Sequence, residues 1–254
     1  MAPINWHTAL MCANISDGVY YTGDKMFDYF SKYLHSTKVM TFLENDNAQG
    51  VIFLDSSDRL VIVFRGTESD QPSDLVADAK VWATSSDTVG IVHTGFKQEL
   101  DKLWPQISDY LLSMPDTHIV ITGHSLGAAM ATLCASRLTQ AGHSIELYTF
   151  GSPRVGDADW ANQFNAINAY RFVNNNDLVT QVPVFQDYIH VGSLCYIDYD
   201  GNIISDCTPE QRDQDRRKSW LRALSKGQLF DELYDHSMEK YIQRIAEFIS
   251  NGAK

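Results

Sequence analysis

The segment Gly123-His124-Ser125-Leu126-Gly127 constrains this chain more than any other stretch of its sequence. A β-branched run, Ile119 to Ile121, precedes it and a stretch rich in small residues follows, which predicts a strand, a sharp turn and a helix. Glycine on both sides of the serine removes side chains that would collide with the strand and the helix. Ser125 would then lie at a helix N-terminus, where free N–H groups and the helix dipole favour a developing anion. The pattern indicates a nucleophilic serine.

Length and composition fit one large α/β domain or two small ones. The chain has 254 residues, of which 44% are hydrophobic, and this is enough for a sizeable core. No repeat or linker divides it, so we expect a single domain over residues 1–254.

The net charge of −12 argues against nucleic acid as a partner. No transmembrane run and no signal peptide are visible, so the chain is either intracellular or a mature secreted form.

The cysteines do not have the spacing of a metal site, and we expect neither a metal nor a cofactor. Cys195 and Cys207 flank a predicted hairpin that turns at Asp200-Gly201. A two-residue turn would place Cys195 opposite Asp206, so a disulfide between the two cysteines would need a bulge or a longer loop. The sequence leaves both the disulfide and the free thiols open.

The rest of the chain alternates predicted strands and helices. Residues 24–34 and 96–112 have helical periodicity, although Pro105 must kink the second helix or start a new one. Strands are predicted at 51–54, 60–64, 145–150 and 170–173, with a helix near 157–167. A capping box at Thr208 begins another helix, and an apolar stripe from Met238 to Ile249 predicts the last one. This alternation implies a mostly parallel sheet with helices on both faces.

A serine nucleophile needs a base to accept its proton and a third group to orient that base. Three histidines follow Ser125: His143 in a connection at the far edge of the sheet, His190 in an apparent strand, and His236 before the final helix. We favour His236 over His190, because a loop at the mouth of that helix can project the ring over Ser125.

Asp177 is the preferred orienting acid. It follows the strand 170–173 at the carboxyl edge of the sheet, where the active sites of open α/β folds lie. Asp157, Asp159 and Asp187 are the alternatives, and the first two have the position of ordinary acids at a helix N-terminus.

Six motifs, in order, resemble the class 3 lipases, the family of the filamentous-fungal triacylglycerol lipases. They lie between about residues 60 and 242: Phe64-Arg65-Gly66-Thr67, His93-Thr94-Gly95-Phe96, Gly123-His124-Ser125-Leu126-Gly127, Thr149 to Gly156, Arg171 to Asn174 with Asp177, and Asp235-His236. The chain departs from the family pattern after Thr67, where the usual tryptophan is missing.

The resemblance implies a single-domain α/β-hydrolase with a mostly parallel central sheet, helices on both faces and a short helical lid. It carries over Ser125, Asp177 and His236 as a catalytic triad, and the backbone N–H groups of Thr67 and Leu126 as the oxyanion hole. It further implies secretion, against a cytoplasmic alternative, and a lipid or ester substrate at an oil–water interface. The oligomeric state is not indicated.

Residues 69–92 are the expected lid. Ser73 could cap a helix there, and one side of that helix would be apolar: Leu75, Val76, Ala79, Val81 and Trp82. The alternative is a helix packed permanently on the core.

The expected activity is hydrolysis of acylglycerol esters through an acyl-enzyme. A phospholipase A1, a feruloyl-type esterase and a catalytically silent binding protein are the other hypotheses.

Overall fold

A computed structural model of the chain describes residues 3–34, 40–66, 83–114, 117–183, 187–205, 207–226 and 235–252. Ten strands lie in these residues: β1 (Met40–Asn45), β2 (Ala48–Leu54), β3 (Leu60–Phe64), β4 (Ala83–Ser85), β5 (Ile91–His93), β6 (Ile119–His124), β7 (Ile145–Phe150), β8 (Asn168–Asn174), β9 (Ser193–Ile197) and β10 (Ile203–Ser205). Eight of them form one sheet in the order β1-β2-β3-β6-β7-β8-β9-β10, and β4 pairs with β5 as a separate hairpin.

The centre of the large sheet is parallel. Strands β3, β6, β7, β8 and β9 run in the same direction, whereas β1, β2 and β10 pair antiparallel at the two edges. All residues of β3 and β6 are buried, as the apolar runs Leu60–Phe64 and Ile119–Ile121 predict for strands covered on both faces. The expectation of a mostly parallel sheet is confirmed.

Helices cover both faces of this sheet: α1 (Trp6–Gly18), α2 (Asp24–Leu34), α3 (Thr94–Leu111), α4 (Leu126–Gln140), α5 (Ala158–Ala161), α6 (Pro209–Lys226) and α7 (Met238–Ser250). Side chains of β3 alternate between two cores, with Ile62 in the core under α3, α4 and α5, and Val63 in the core under α1, α2 and α7. Helix α6 covers the far end of the sheet, where Ser219 Oγ accepts a hydrogen bond from Asn175 Nδ2 at 2.7 Å. No helix of the described residues is both long and apolar enough to cross a membrane.

Several predicted elements need correction in detail. Helix α3 continues from Thr94 to Leu111 through Pro105, so no new helix begins at that proline. The helix expected at 157–167 is two shorter pieces, α5 and a 3-10 turn over Asn162–Ala166. The capping box before α6 is confirmed, because Thr208 and Gln211 exchange two hydrogen bonds, of 2.8 and 3.2 Å.

The hairpin of β9 and β10 has a longer turn than expected. Cys195 pairs with Ser205 rather than with Asp206, and Asp198 and Asn202 close a three-residue loop. This loop shifts the register by one residue from that of a two-residue turn. All four cysteines are buried free thiols, so Cys195 and Cys207 are not joined by a disulfide.

The end of the expected lid, residues 83–92, belongs to the β4–β5 hairpin, which is fixed to the body of the protein. His93 N donates to Val155 O and Asp157 N donates to Ile91 O, both at 2.9 Å. Thr88 Oγ1 and Ser136 Oγ share a hydrogen bond of 3.0 Å. Residues 67–82 lie outside the described residues, and with them Thr67 and the predicted lid helix.

Candidate active site

Ser125 occupies the turn between β6 and α4 in a strained conformation. Its φ of 58° and ψ of −126° lie in a region that costs a non-glycine residue about 1–3 kcal/mol. The turn is held by a hydrogen bond of 3.1 Å from Ser125 N to Phe150 O. A Cβ on Gly123 would overlap the carbonyl of Gly127, and one on Gly127 would overlap that of Phe64. The strand–turn–helix that the sequence predicts is therefore present, with both glycines required by close backbone approach.

Asp177 and His236 form a buried pair at the carboxyl end of the sheet. His236 Nδ1 lies 2.9 Å from both carboxylate oxygens of Asp177, which is fully buried just beyond β8. Tyr241 Oη donates to Asp177 Oδ2 at 2.6 Å, and Val179 N donates to Oδ1 at 3.0 Å. Since a carboxylate only accepts, Nδ1 is the donor and Nε2 is the ring nitrogen left to face a substrate. The pair has the geometry of an oriented base.

A second histidine holds the loop that carries His236. The ring centroids of His124 and His236 are 4.3 Å apart, and His124 Nε2 donates to the backbone carbonyl of His236 at 2.8 Å. Tyr20 Oη donates to His124 Nδ1 at 3.2 Å. Desolvation and the neighbouring His236 hold the pKa of His124 well below its usual value. A neutral His124 therefore has both ring nitrogens engaged and adds no charge beside His236.

The side chain of His236 lies beside the serine turn, with Gly151 between β7 and the Asp177–His236 pair. Gly151 has a φ of +57°, and a Cβ there would come within 2.7 Å of Asp177 Oδ2 and 2.9 Å of His236 Nδ1. Ser125 Oγ makes no hydrogen bond to His236 within the described part of the chain. Such contacts are often long before substrate binds and tighten in the complex.

Replacing Gly151 with alanine is expected to displace His236 and to lower kcat/KM about 100-fold or more, since misplacement of a catalytic group by 1 Å has that effect. Gly23→Ala is the matched control, because Gly23 also has a positive φ (+56°) but no atom near the new Cβ. The two variants are compared by ester hydrolysis and by urea unfolding. Similar activities in the two variants would show that Gly151 serves only its backbone conformation.

Removing the hydroxyl of Tyr241 tests whether it supports Asp177. A hydrogen bond to a charged group contributes about 1.5–3 kcal/mol, so Tyr241→Phe is expected to lower kcat/KM about 10- to 100-fold. Tyr188→Phe is the control, since the buried Tyr188 hydroxyl has no hydrogen-bond partner in the residues described. Equal activity of Y241F and Y188F in a steady-state assay would mean that the contact to Asp177 does not matter for turnover.

The other candidates lie elsewhere or serve the fold. His190 Nε2 donates to Thr180 O at 2.8 Å, and desolvation followed by repulsion from Arg171 holds its pKa well below the usual value. His143 follows α4 at the opposite end of the sheet. Asp157 caps α5 by accepting from Trp160 N, while Asp159 and Asp187 are exposed. The structure thus brings His236, not His190 or His143, to Asp177.

Only one of the two expected oxyanion donors is within the described residues. Leu126 is the first residue of α4, where a helix leaves backbone N–H groups without intrahelical acceptors. The chain leading to Thr67 runs beside the turn: a Cβ on Gly66 would lie 2.9 Å from His124 O and 3.5 Å from Gly127 N. In the described residues, no cluster of His, Cys, Asp and Glu could hold a metal ion.

The sequence did not predict the roles of four residues in this arrangement: Tyr20, His124, Gly151 and Tyr241. For His124 a signal exists, because strand alternation puts it on the same face as Val120 and hence toward α7. Tyr241 was expected only as a member of an apolar stripe, and nothing in its spacing indicates the hydrogen bond to Asp177.

Comparison with known proteins supports the resemblance seen in the motifs. The family model for lipase (class 3) matches residues 61–187. A secreted mono- and diacylglycerol lipase A of Penicillium cyclopium is 34% identical over 158 residues, which are 58% of this chain and 51% of that protein. A lipase of Caenorhabditis elegans is 33% identical over 155 residues, 56% of this chain and 43% of that one. The chain thus spans about half the length of these curated relatives.

Solved structures share the fold. The triacylglyceride lipase of Rhizomucor miehei superposes with a TM-score of 0.62 and 26% identity, over 79% of this chain and 81% of that one. A lipase of Yarrowia lipolytica, 23% identical, superposes with a TM-score of 0.63 over 76% and 79% of the two chains. The expected α/β-hydrolase fold is confirmed. Because the family model covers half of the sequence and the motifs it contains are those of the elbow and the sheet edge, this chain belongs to the class 3 lipase family.

Proposed function

We propose that this chain hydrolyses carboxylic esters of acylglycerols, with Ser125 as nucleophile, His236 as base and Asp177 as the group that orients the base. The observation that carries the proposal is the Asp177–His236 pair, with both carboxylate oxygens 2.9 Å from Nδ1, next to a serine held at a strained strand–helix turn. A binding scaffold has no need for a buried carboxylate, an oriented imidazole and a strained serine in one place.

In the proposed reaction Ser125 Oγ attacks the ester carbonyl carbon while His236 Nε2 accepts the hydroxyl proton. The carbonyl oxygen becomes an oxyanion, which the N–H groups of Leu126 and Thr67 would stabilise. Each such donor is worth about 3–4 kcal/mol in the transition state. The C–O bond to the alcohol then breaks, and His236 returns the proton to the departing alcohol. Water repeats the sequence on the acyl-enzyme and releases the fatty acid.

The electrostatics of the pair suit this proton transfer. Asp177 is fully buried, with three donors directed at its carboxylate from Val179, His236 and Tyr241. Its negative charge stabilises the imidazolium that forms when His236 accepts the serine proton. The neutral His124 beside it leaves this imidazolium without a competing cation in contact.

The choice of acylglycerols rests on family membership and on relatives whose names specify mono- and diacylglycerols.

We further propose that residues 1–254 act as one catalytic unit and that the enzyme binds its substrate at an oil–water interface. The sheet is continuous from β1 to β10, and helices from both ends of the chain pack on it. A lid remains a prediction for residues 69–82 only, since the hairpin that follows is fixed to the body.

The test is a substrate panel: emulsified di- and triglyceride, phosphatidylcholine and a feruloyl ester, each assayed with the wild-type chain and with Ser125→Ala as a blank. We expect the highest kcat/KM on the glycerides and a sharp rise in activity as a short-chain ester exceeds its solubility. Preference for phosphatidylcholine or the feruloyl ester would replace the substrate class but keep the mechanism. Activity on none of them would indicate a silent hydrolase fold.

A further inference from the structure

Four arginines and a histidine gather where α6 meets strand β8. Arg171 projects from β8 and is only 8% exposed; Arg212 and Arg216 are half-buried on α6, one helical turn apart. Nη1 of Arg154 donates to the backbone carbonyl of Gln181 at 2.7 Å and to that of Pro183 at 3.0 Å. His190 donates to the neighbouring Thr180 O. We call these five residues the arginine cluster.

The arginine cluster has no ion-pair partner in the described part of the chain. No ion pair there joins any of its four guanidinium groups to a carboxylate, and the Nε atoms of Arg171, Arg212 and Arg216 are buried without a hydrogen-bond partner. Asp215, between the two arginines of α6, accepts instead from Tyr196 Oη at 2.9 Å and Tyr199 N at 3.0 Å. Arg171 faces Thr149 on one neighbouring strand and Leu194 on the other, so neither strand supplies an acid.

The arginines are also close enough to repel one another. Desolvation, followed by repulsion from Arg212, lowers the pKa of Arg171 to about 10. Desolvation, then Arg212 and Arg216, lowers the pKa of Arg154. Buried charges of one sign with unsatisfied N–H groups are costly unless an opposite charge joins them. Such a cluster is unexpected in a chain with 32 acidic and only 20 basic residues, where carboxylates are plentiful.

We propose that the arginine cluster is an anion-binding site for a phosphate group, held between Arg171 and the two arginines of α6. A guanidinium presents a planar fork of N–H donors that matches two oxygens of a phosphate, and a phosphate can accept from several such forks at once. The free Nε atoms of Arg171, Arg212 and Arg216 are the donors that it would satisfy. The phosphate could be free or could be the headgroup of an anionic lipid, and both present the same oxygens.

The test measures the Tm of the full chain in sodium phosphate against sodium chloride of equal ionic strength. A ligand at ten times its Kd raises the Tm of a domain of this size by about 3 to 6 °C. We expect this rise in the wild type and in Arg217→Gln, whose side chain is exposed on the same helix. The double variant Arg212→Gln/Arg216→Gln should unfold at the same or a higher temperature in chloride and gain nothing from phosphate.

Titration calorimetry with inorganic phosphate on the folded variants gives a second readout that does not depend on unfolding. Sedimentation with phosphatidate vesicles, compared with phosphatidylcholine vesicles, distinguishes the sources. If the wild type binds both phosphate and phosphatidate vesicles and the double variant binds neither, the ligand is a lipid headgroup. If the wild type binds phosphate but not the vesicles, the ligand is the free ion. A Tm that responds no more to phosphate than to chloride, or that rises equally in the double variant, overturns the proposal.

Discussion

Ser125→Ala is expected to lower kcat for ester hydrolysis by about 10⁴ to 10⁶-fold, because no other group can form the acyl-enzyme. What remains would come from the oxyanion donors and from substrate binding. The fold should survive, since alanine and serine carry the same backbone strain at φ 58° and differ by one small polar atom. Kinetics with a soluble p-nitrophenyl ester measure the loss, and urea unfolding measures the stability.

Ser152→Ala is the matched control for this variant. Ser152 is also a buried serine at the end of a central strand, but its Oγ donates to the carbonyl of Pro153. Its loss should affect stability by about 1 kcal/mol and leave the chemistry intact. If S125A keeps activity within tenfold of wild type in protein free of contaminating esterases, another residue is the nucleophile.

His236→Ala is expected to be nearly as damaging as Ser125→Ala, because the serine hydroxyl is a weak nucleophile until a base accepts its proton. The double variant should be no worse than either single variant, since the two groups act as one unit. His190→Ala is the control: its ring donates to Thr180 O, away from Asp177, and its loss should cost stability rather than kcat.

A ranking in which H190A loses more activity than H236A would move the base to His190 and would leave the Asp177–His236 hydrogen bonds without a catalytic purpose. Additive losses in the double variant would likewise argue that the two residues act in separate steps. Steady-state rates for the three variants, measured at one pH with the same soluble ester, decide between these outcomes.

The parts of the fold that the sequence predicts are those where local pattern and burial agree. β7 and α2 have the predicted bounds, because the first is a short run of mostly aliphatic and aromatic residues and the second has one clear apolar side. The elbow is predicted by its local pattern, a β-branched run followed by two glycines around a serine, although Gly127 is required by contact with the distant Phe64 carbonyl. Asp177 and His236 followed from chain order and from the position of active sites at the carboxyl edge of a sheet.

What was missed depends on contacts between distant segments. Helix α1 has no single apolar side, because polar residues also face inward: Ser16 Oγ and Thr122 Oγ1 share a hydrogen bond of 3.0 Å. The edge strand β1 is half-exposed, with Phe42 46% accessible. The contacts of His124 with Tyr20 and of Asp177 with Tyr241 join residues 104 and 64 positions apart, and no local pattern encodes such pairs.

Covalent labelling with a fluorophosphonate tests the central claim most directly. The reagent phosphonylates a serine only where a base activates it, so the account predicts one adduct per chain, located on Ser125 by peptide mass spectrometry. Labelling should be lost in S125A and strongly slowed in H236A, while H190A and S152A label at the wild-type rate. An adduct on a different serine, or equally fast labelling of H236A, would contradict the assignment of Ser125 and His236 as nucleophile and base.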